Sequence, residues 1–475
     1  MKATDKPQDN SKVAAVVLAA GEGKRMKSDI PKVLHEICGR PSLRYVLDEV
    51  EGLGPGVVLL VAGHGADAVS AEAGPGVRCV IQSEQNGTGH AVMVAMEGLG
   101  PEFDEILVLP GDSPLVRGST LESLLEARRE DGAGASVLTV RMDDPTGYGR
   151  VVRNDKGMVE RIVEEADASV EERGIAEVNA CTYVFCRARL QRPLSSLDTD
   201  NAQGEYYLTD VVEAMVAGGD VVVPVRGAEE ESLGVNDREH LAAAGAVMRR
   251  RINGRLMAGG VTMTDPEKIY VDYGVDVGRD TVIMPMVFIT GATRIGRGCL
   301  VGPCSAINDS AIGDRCVVEY SWLDGCELSR DVNIGPFSRL RPGCKIGAGS
   351  KVGSFVEMKK VVVGAGSKIP HLSYMGDAVI GNGVNVGAGS ITCNYDGEEK
   401  HITEIGDRAF LGSDTMLIAP VRIGEDAATA AGSSIYQDVP DGNLGIERNT
   451  QKNVPDWRER KKGGRGREKG PRADD

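Results

Sequence analysis

The sequence predicts two folds in tandem: an α/β domain with a mostly parallel, Rossmann-like sheet, then a left-handed parallel β-helix of hexapeptide repeats. Three observations predict them. Over the first 236 residues, aliphatic runs (AAVVLAA, GVVLLVAGHG, ILVLPGDSPL, SVLTV, VVVPV) alternate with helix-forming stretches such as KVLHEICGRPSLRYVLDEVEGLG. Buried strands separated by helices are the pattern of a parallel sheet covered on both faces. Further on, aliphatic residues recur every six positions, at Val271, Val277, Ile283, Ile289, Ile295, Val301 and Ile307. The beat returns at Ile334, Leu340, Ile346 and Val352, and again at Ile405, Leu411, Leu417 and Ile423. Neither the helical period nor the strand period gives six; three short strands per turn, each with one inward aliphatic side chain, do. Thirdly, glycine tends to follow the aliphatic, as in IGRGCLVG and IGNGVNVG, where tight corners favour it.

A chain of 475 residues is long enough for two or three cores. We divide it into residues 1–236, a helix-forming, arginine-rich linker at 237–259, the β-helix at 260–450, and a basic tail at 451–475 expected to be disordered. A formal charge of −16 argues against a generic nucleic-acid binder. No run of 18 apolar residues predicts a membrane span, and the polar MKATDKPQDNSK lacks the apolar core of a secretory signal. Ten cysteines include no CxxC, and most sit in apolar patterns, as do Cys181, Cys299 and Cys304. They read as buried free thiols of a reducing compartment, the cytoplasm.

The loop LAAGEGKRM (18–26) runs from a strand into glycines and then charge, yet it is neither GxGxxG nor GxxxxGK[ST]. Backbone N–H groups at Ala20, Gly21 and Gly23 suit phosphate oxygens, with Lys24, Arg25 and Lys32 close behind; a solvated face also accounts for Lys24 and Arg25. QSEQNGTGHA (82–91) carries Gly87 and Gly89, which let backbone approach a flat base or its ribose. LPGDSPL places Asp112 directly after a strand, where a carboxylate holds Mg²⁺ beside phosphates, or where a plain surface turn lies. In the rear half the six-residue register is interrupted at 353–379 and 392–404, and interruptions of a solenoid carry grafted sites. His371, between Pro370 and the polar Ser373 and Tyr374, is either a structural histidine or a base that titrates near neutrality. The flat sides of such a prism call for side-by-side association, typically threefold.

Taken in order, these motifs resemble the sugar-1-phosphate nucleotidylyltransferases. The chain resembles more closely the bifunctional N-acetylglucosamine-1-phosphate uridylyltransferases/glucosamine-1-phosphate N-acetyltransferases, across residues 12–452. LAAGEGKRMKSDIPKVLH, EQNGTGHA, GDSPL, GYGR, IVEEADA, EVNA and GVNDR match the first half; LRPG, FVEMKK, SKIPHLSYMGD, NVGAGSITCNYDG and GSDT match the second. The resemblance makes the first fold a nucleotidyltransferase domain. It implies that Leu18, Gly21, Arg25 and Lys32 meet UTP, with Arg25 and Lys32 stabilising charge as the α-phosphorus is attacked. Gln82, Gln85, Gly87 and Thr88 would read uracil, Asp112 and Asn236 would hold Mg²⁺, and Gly149, Glu164, Asn179 and Asn236 would bind the amino-sugar phosphate. GVND is, on its residues alone, also an ordinary turn. In the second half His371 would be the base, and Arg341, Lys359, Tyr374, Asn385 and Lys400 would cradle the acceptor, with a Lys359–Glu357 salt bridge as the structural alternative. Asn394 and Tyr395 would position the amine beside acetyl-CoA, which Ala388, Ser413, Ala431 and Arg448 would meet. A Cys393 nucleophile is disfavoured, because direct transfer needs no acyl-enzyme. Partners implied are small-molecule substrates and a homotrimer built through the β-helix, with no nucleic acid and no membrane span. Glu22, Asn86 and Pro370 depart from the family pattern. A rival reading, a nucleotidylyltransferase for another sugar phosphate with a non-acetylating β-helix, is opposed by His371, Asn385, Tyr395 and Lys400; a non-catalytic scaffold is opposed by Arg25, Lys32 and Asp112.

Overall fold

The computed structural model describes residues 9–130 and 132–463. They fall into two units, and the division is not a single cut. The first runs to Gly259 and also takes in Asp265–Val275 and Ile289–Gly291; the second comprises Gly260–Thr264, Asp276–Phe288 and the chain from Ala292.

In the first unit, VAAVVLA (Val13–Ala19) alternates between two cores. Val13, Ala15, Val17 and Ala19 face one side of the sheet, Ala14 and Val16 the other. The sheet order is Val222–Arg226, Ala135–Arg141, Glu177–Cys186, Glu105–Pro110, Val13–Ala19, Val57–Ala62, Val77–Ile81, with Arg150–Arg153 and Val159–Val163 attached off that path. Along it only Glu177–Cys186 runs antiparallel to its neighbours. That strand is bulged between Asn179 and Tyr183, with Cys181 at a φ of 54°. The helix read from sequence at 237–259 spans Arg238–Ala258 and is capped by Asp237, whose carboxylate accepts from the His240 N–H at 2.9 Å. Buried Asn253 on this helix donates to the carbonyls of Pro266 (2.8 Å) and Ile269 (3.0 Å), fastening the 265–275 segment into the unit.

The second unit is a left-handed parallel β-helix whose inward side chains stack in columns. One column runs Val277, Ile295, Ile312, Leu328, Ile346, Val363, Ile380, Ile405, Ile423, each paired in register with the next. Differences between successive residue numbers give the coil lengths: 18, 17, 16, 18, 17, 17, 25 and 18. This corrects the sequence reading at 353–379. There is no interruption there, only coils of 17 residues, and the strands Lys351–Ser354, Glu357–Val363, Lys368–His371 and Tyr374–Ile380 continue the stack. Losing one corner residue shifts the phase of the sequence beat without disturbing the coil. The second interruption is real: the coil of 25 extrudes a hairpin around a Tyr395–Lys400 bridge.

Glycines beside this column are required by close approach. A Cβ on Gly364 would lie 2.5 Å from the backbone of Gly381 in the next coil, and one on Gly278 2.7 Å from Gly296. At one corner, non-glycine residues adopt the left-handed region instead. Met286, Cys304, Tyr320, Phe337, Phe355 and Leu372 have φ between 49° and 62°, Tyr320 excepted at 45°. All six are exposed; the Phe337 and Phe355 rings stack at 5.2 Å between centroids, and Tyr320 meets Phe337 tilted at 5.7 Å. Two cysteine expectations are corrected here. Cys304 on this corner and Cys181 at the bulge are exposed, because left-handed backbone turns their side chains off the apolar pattern; Cys299, Cys316, Cys326 and Cys344 are buried, and all ten are free. The tail also departs from expectation, since Trp457–Gly463 is helical; the remainder of that prediction concerns 464–475, outside the described residues.

Because its Cβ meets backbone, Gly364→Ala is expected to destabilise the second unit by about 1–3 kcal/mol. Gly254→Ala, in a helix with nothing near the new methyl, is expected to stabilise the first by about 0.5–1 kcal/mol. Denaturant unfolding of the two variants, resolved by unit, checks both signs.

Candidate active sites

Three distant stretches meet at the carboxyl ends of the central strands, where open α/β sheets place ligands. Gly111 follows Glu105–Pro110 and donates its N–H to Leu18 O (2.8 Å), which aligns the two strand ends. Asp112 O then accepts from Val235 N at 2.8 Å, drawing in the 234–236 turn. In the resulting cluster Lys32 Nζ donates to Asp112 Oδ2 and, at 3.2 Å, to Asn236 Oδ1, while Arg25 Nη2 donates to the same amide oxygen at 3.0 Å. Gly23 permits this packing: its φ is 67°, and a Cβ there would lie 2.7 Å from Lys32 Cβ. Gly21 is different. Its surroundings are open, so the fold does not demand glycine at that position. Lys24 turns to Glu22 at 3.0 Å, with both side chains exposed, so the unfamiliar acid is matched by its own neighbour.

The 82–90 loop lies against the 201–208 segment. Gln82 is buried, its Nε2 donating to Gly87 O (3.3 Å) and lying 3.0 Å from His90 Nδ1; Gln85 is exposed, and its Nε2 packs against Gly63. Gly87, at a φ of 104°, has no room for a side chain beside Tyr206, and Thr88 Oγ1 accepts from Leu208 N at 3.2 Å. Asn86 O and Gly89 N bond the Tyr206 backbone at 2.9 and 2.8 Å, so Asn86 serves the loop's own structure. Glu164 Oε1 accepts from Thr209 Oγ1 at 3.2 Å, its Oε2 lies beside Gly149, and burial holds its pKa above the usual carboxylate value. Asn179 is buried at the bulge; its Nδ2 donates to Tyr183 OH (2.7 Å), its Oδ1 accepts from Cys181 N (3.0 Å), and its own N–H reaches Gly149 O (2.9 Å).

In the β-helix, His371 ends the strand Lys368–His371 and is exposed, not lodged in an irregular loop as the sequence reading had it. Pro370 fits because the coil beneath offers Gly353, where a Cβ would lie 2.1 Å from Pro370 O. Proline confines buried Ile369 to extended backbone and so fixes the strand that presents His371. Ser373 Oγ donates to His371 O at 2.8 Å, and the chain turns at once into Tyr374, whose strand pairs with Glu357 and Ile391. The Tyr374 hydroxyl folds over Gly376, occupying the place of a Cβ.

Three cations crowd on neighbouring coils. Arg341 Nη1 reaches Glu357 Oε1 at 3.3 Å, so Glu357 pairs with Arg341, and the alternative pairing with Lys359 does not occur. Lys359 instead faces Lys400 and lies near Arg341, and that like charge pushes its pKa below the ordinary lysine value. Lys400 stands on the hairpin, which folds around Asp396: this carboxylate accepts from Glu398 N (2.8 Å) and Glu399 N (2.7 Å), and meets His401 Nε2 at 2.7 Å. Exposed Tyr395 donates its hydroxyl to Gly397 O at 2.5 Å, whereas Asn394 is buried and donates Nδ2 to Asp377 Oδ2 at 2.5 Å. Asn385 pairs with Lys368, one coil from His371's strand.

Ala388, Ser413 and Ala431 stack on successive coils. Ala388 O accepts from Asp414 N (2.7 Å), Ser413 O from Gly432 N (2.8 Å), and Ala431 O from Arg448 Nη1 (3.2 Å). Asp377, Thr209 and the Tyr206 backbone were missed by sequence reasoning. Asp377 stands in a plain GD pair and the others in an ordinary helix start, so nothing local marked them.

Comparison with known proteins covers both units. Residues 15–244 match the MobA-like NTP transferase domain. A protein of Pelobacter propionicus named bifunctional protein GlmU is 49% identical over 455 residues, 95% of this chain and 99% of its own. Proteins of the same name from Halalkalibacterium halodurans and Listeria monocytogenes are each 48% identical, over 440 and 444 residues, covering 92% and 93% of this chain and 97% of theirs.

Since Lys400 is the first cause of the depressed Lys359 pKa, Lys400→Met is expected to raise it toward the ordinary lysine value. NMR titration of side-chain-labelled lysines reads that shift, and an unmoved Lys359 resonance would contradict the contact.

Proposed function

Because this chain belongs to the bifunctional GlmU family, we propose how it divides the making of UDP-N-acetylglucosamine between its units. The family reaction is acetyl transfer from acetyl-CoA to glucosamine 1-phosphate, then uridylyl transfer from UTP to the N-acetylated product, releasing pyrophosphate. We assign residues 1–236 to the second step, 237–259 to the linker and 260–450 to the first, leaving 451–475 as a basic tail.

At the uridylyl site the sugar phosphate is already a nucleophile, so the protein's task is to position it and to neutralise charge. Lys32 and Arg25 grip the triphosphate, and the backbone at Leu18 and Gly21 meets its oxygens; the open space at Gly21 supports that placement. Gln82, Gln85, Gly87 and Thr88 read the base, while Gly149, Glu164, Asn179 and Asn236 hold the sugar phosphate. A Mg²⁺ ion fits the hard oxygens of Asp112 and Asn236, which Lys32 already draws together. When bound, it neutralises phosphate charge and prepares pyrophosphate to leave. Among the described residues no group of three or more His, Cys, Asp or Glu forms a metal cage, so such an ion would draw its other ligands from substrate phosphates and water.

At the acetyl site the amine nitrogen attacks the thioester carbonyl carbon. The C–N bond forms as the C–S bond breaks, His371 takes the proton the amine gives up, and coenzyme A leaves as a thiolate that takes up that proton. Arg341, Lys359, Tyr374, Asn385 and Lys400 hold the acceptor, Asn394 and Tyr395 its amine, and Ala388, Ser413, Ala431 and Arg448 acetyl-CoA. The observation that carries this reading is that Arg341, Lys359 and Tyr374 stand on adjoining coils, Glu357 holding Arg341 and pairing in register with Tyr374, beside the hairpin that carries Lys400.

We further assign a homotrimer formed through the β-helix. Its support is the exposed corner, where Phe337, Phe355 and Leu372 are 54%, 60% and 62% accessible in one continuous apolar ladder. A cytoplasmic location accords with ten free thiols.

His371→Ala is expected to lower acetyl transfer by about 10²–10⁴-fold, leaving uridylyl transfer intact. Asp112→Ala is expected to lower uridylyl transfer by about 10²–10³-fold and spare acetyl transfer. Thiol release and pyrophosphate release, followed on one preparation of each variant, test the pair; either substitution silencing both in a folded protein would refute the assignment.

A further inference from the structure

Asn394 is 8% accessible and its amide is held from one side only. Nδ2 donates to Asp377 Oδ2 at 2.5 Å, whereas no partner for Oδ1 is found among the described residues. The backbone beneath is tied by hydrogen bonds. Gly376 N donates to Thr392 Oγ1 at 2.7 Å, Thr392 Oγ1 returns a bond to Gly376 O at 3.0 Å, and Asn394 O accepts from His401 N at 2.8 Å. Asp377 itself sits in the left-handed region, with φ 47°.

We propose that Asp377 is a positioning residue for acetyl transfer: by capturing Nδ2 of Asn394, it leaves Oδ1 as the only amide atom able to face the acceptor's amine. This rests on the reading that Asn394 contacts that amine. An ionised carboxylate only accepts hydrogen bonds, so the Asn394 orientation with its oxygen toward Asp377 is excluded by repulsion. The consequence is chemical. A primary amine attacks through its lone pair. An amide oxygen accepts one amine N–H and leaves the lone pair free for the thioester carbon. An amide NH₂ in the same place would donate into the lone pair and withdraw it from the reaction. Asp377 therefore selects the orientation that keeps the nucleophile active, without touching substrate.

Asp377→Asn is the informative variant, because asparagine tolerates left-handed backbone at least as well as aspartate and keeps the size. A neutral amide accepts either end of Asn394 and so no longer selects. The expected result is a fall of about 10–100-fold in kcat for acetyl transfer, with KM for glucosamine 1-phosphate within about twofold. Uridylyl transfer and the thermal midpoint stay unchanged. The exchanged pair Asp377→Asn/Asn394→Asp restores a donor at 377 facing an acceptor-only group at 394, and is expected to recover about tenfold in kcat over the single variant. An Asp377→Asn enzyme with undiminished kcat, or a folded exchanged pair that recovers nothing, overturns the proposal. Asn394→Ala separates the two levels: if it retains full kcat, the amine contact itself is wrong; if it loses kcat while Asp377→Asn does not, only the role of Asp377 falls.

Discussion

Each turn of the β-helix must come back one strand spacing, about 4.8 Å, above the turn before it. That spacing governs the second unit. Along the column from Val277 to Ile423 it leaves room for one inward aliphatic per strand, and none for a Cβ where Gly278 or Gly364 meets the next coil's backbone. It also limits where function can be built. Strands of two to seven residues leave little slack, so candidate site residues stand on outward positions of strands, as Lys359 does, at strand ends, as His371 and Tyr374 do, or on an added loop, as in the coil of 25 that carries Lys400. The solenoid thus trades variability along the strands for rigid placement at the edges, which suits a reaction dependent on holding two substrates at attacking distance.

A comparable constraint acts in the first unit through charge. Lys32 and Asp112 side chains are 16% and 15% accessible, so each gives up most of its hydration and requires a partner. They find it in each other and in Asn236. The backbone bonds from Gly111 to Leu18 and from Val235 to Asp112 then keep three sequence-distant loops together. In the proposed reaction a triphosphate would offer Lys32 a stronger counter-charge, and Asp112 would be free to hold the divalent ion that accompanies the phosphates. Each member of the pair would then face a partner of the same sign as the one it gives up, so neither is left buried without a counter-charge.

The architecture was legible because both folds write a period into the sequence. Alternation in VAAVVLA and the six-residue beat survive without tertiary information. What failed was phase. Coils of 16 and 17 residues look like interruptions when a beat of six is extrapolated, so the pattern at 353–379 breaks register although its strands are regular. The cationic members of the sites were visible as residue types that a rigid coil does not need. Their partners were not: Glu357 stands two residues from Lys359 in sequence yet pairs across a coil with Arg341, and Asp377 reaches Asn394 seventeen positions on. Such contacts are set by coil length, which the side-chain pattern does not encode. Pro370 also acquires its meaning only from Gly353 beneath it.

An acidic chain that handles phosphates must separate global from local potential. At physiological ionic strength screening has a range of about 8 Å, so the formal charge of −16 is felt weakly by a ligand seated among cations it touches. What counts is the sign within that radius. Around Lys359 it is set by Lys400 and Arg341, with Glu357 tied to the arginine and Asp377 to Asn394. Around the 20–25 loop, Glu22 is cancelled by Lys24 and leaves Arg25 and Lys32 to act. Glu22, Asp112, Glu357 and Asp377 each stand against a named partner, and in the proposed reaction Arg25, Lys359 and Lys400 are the cations left for a phosphate to meet.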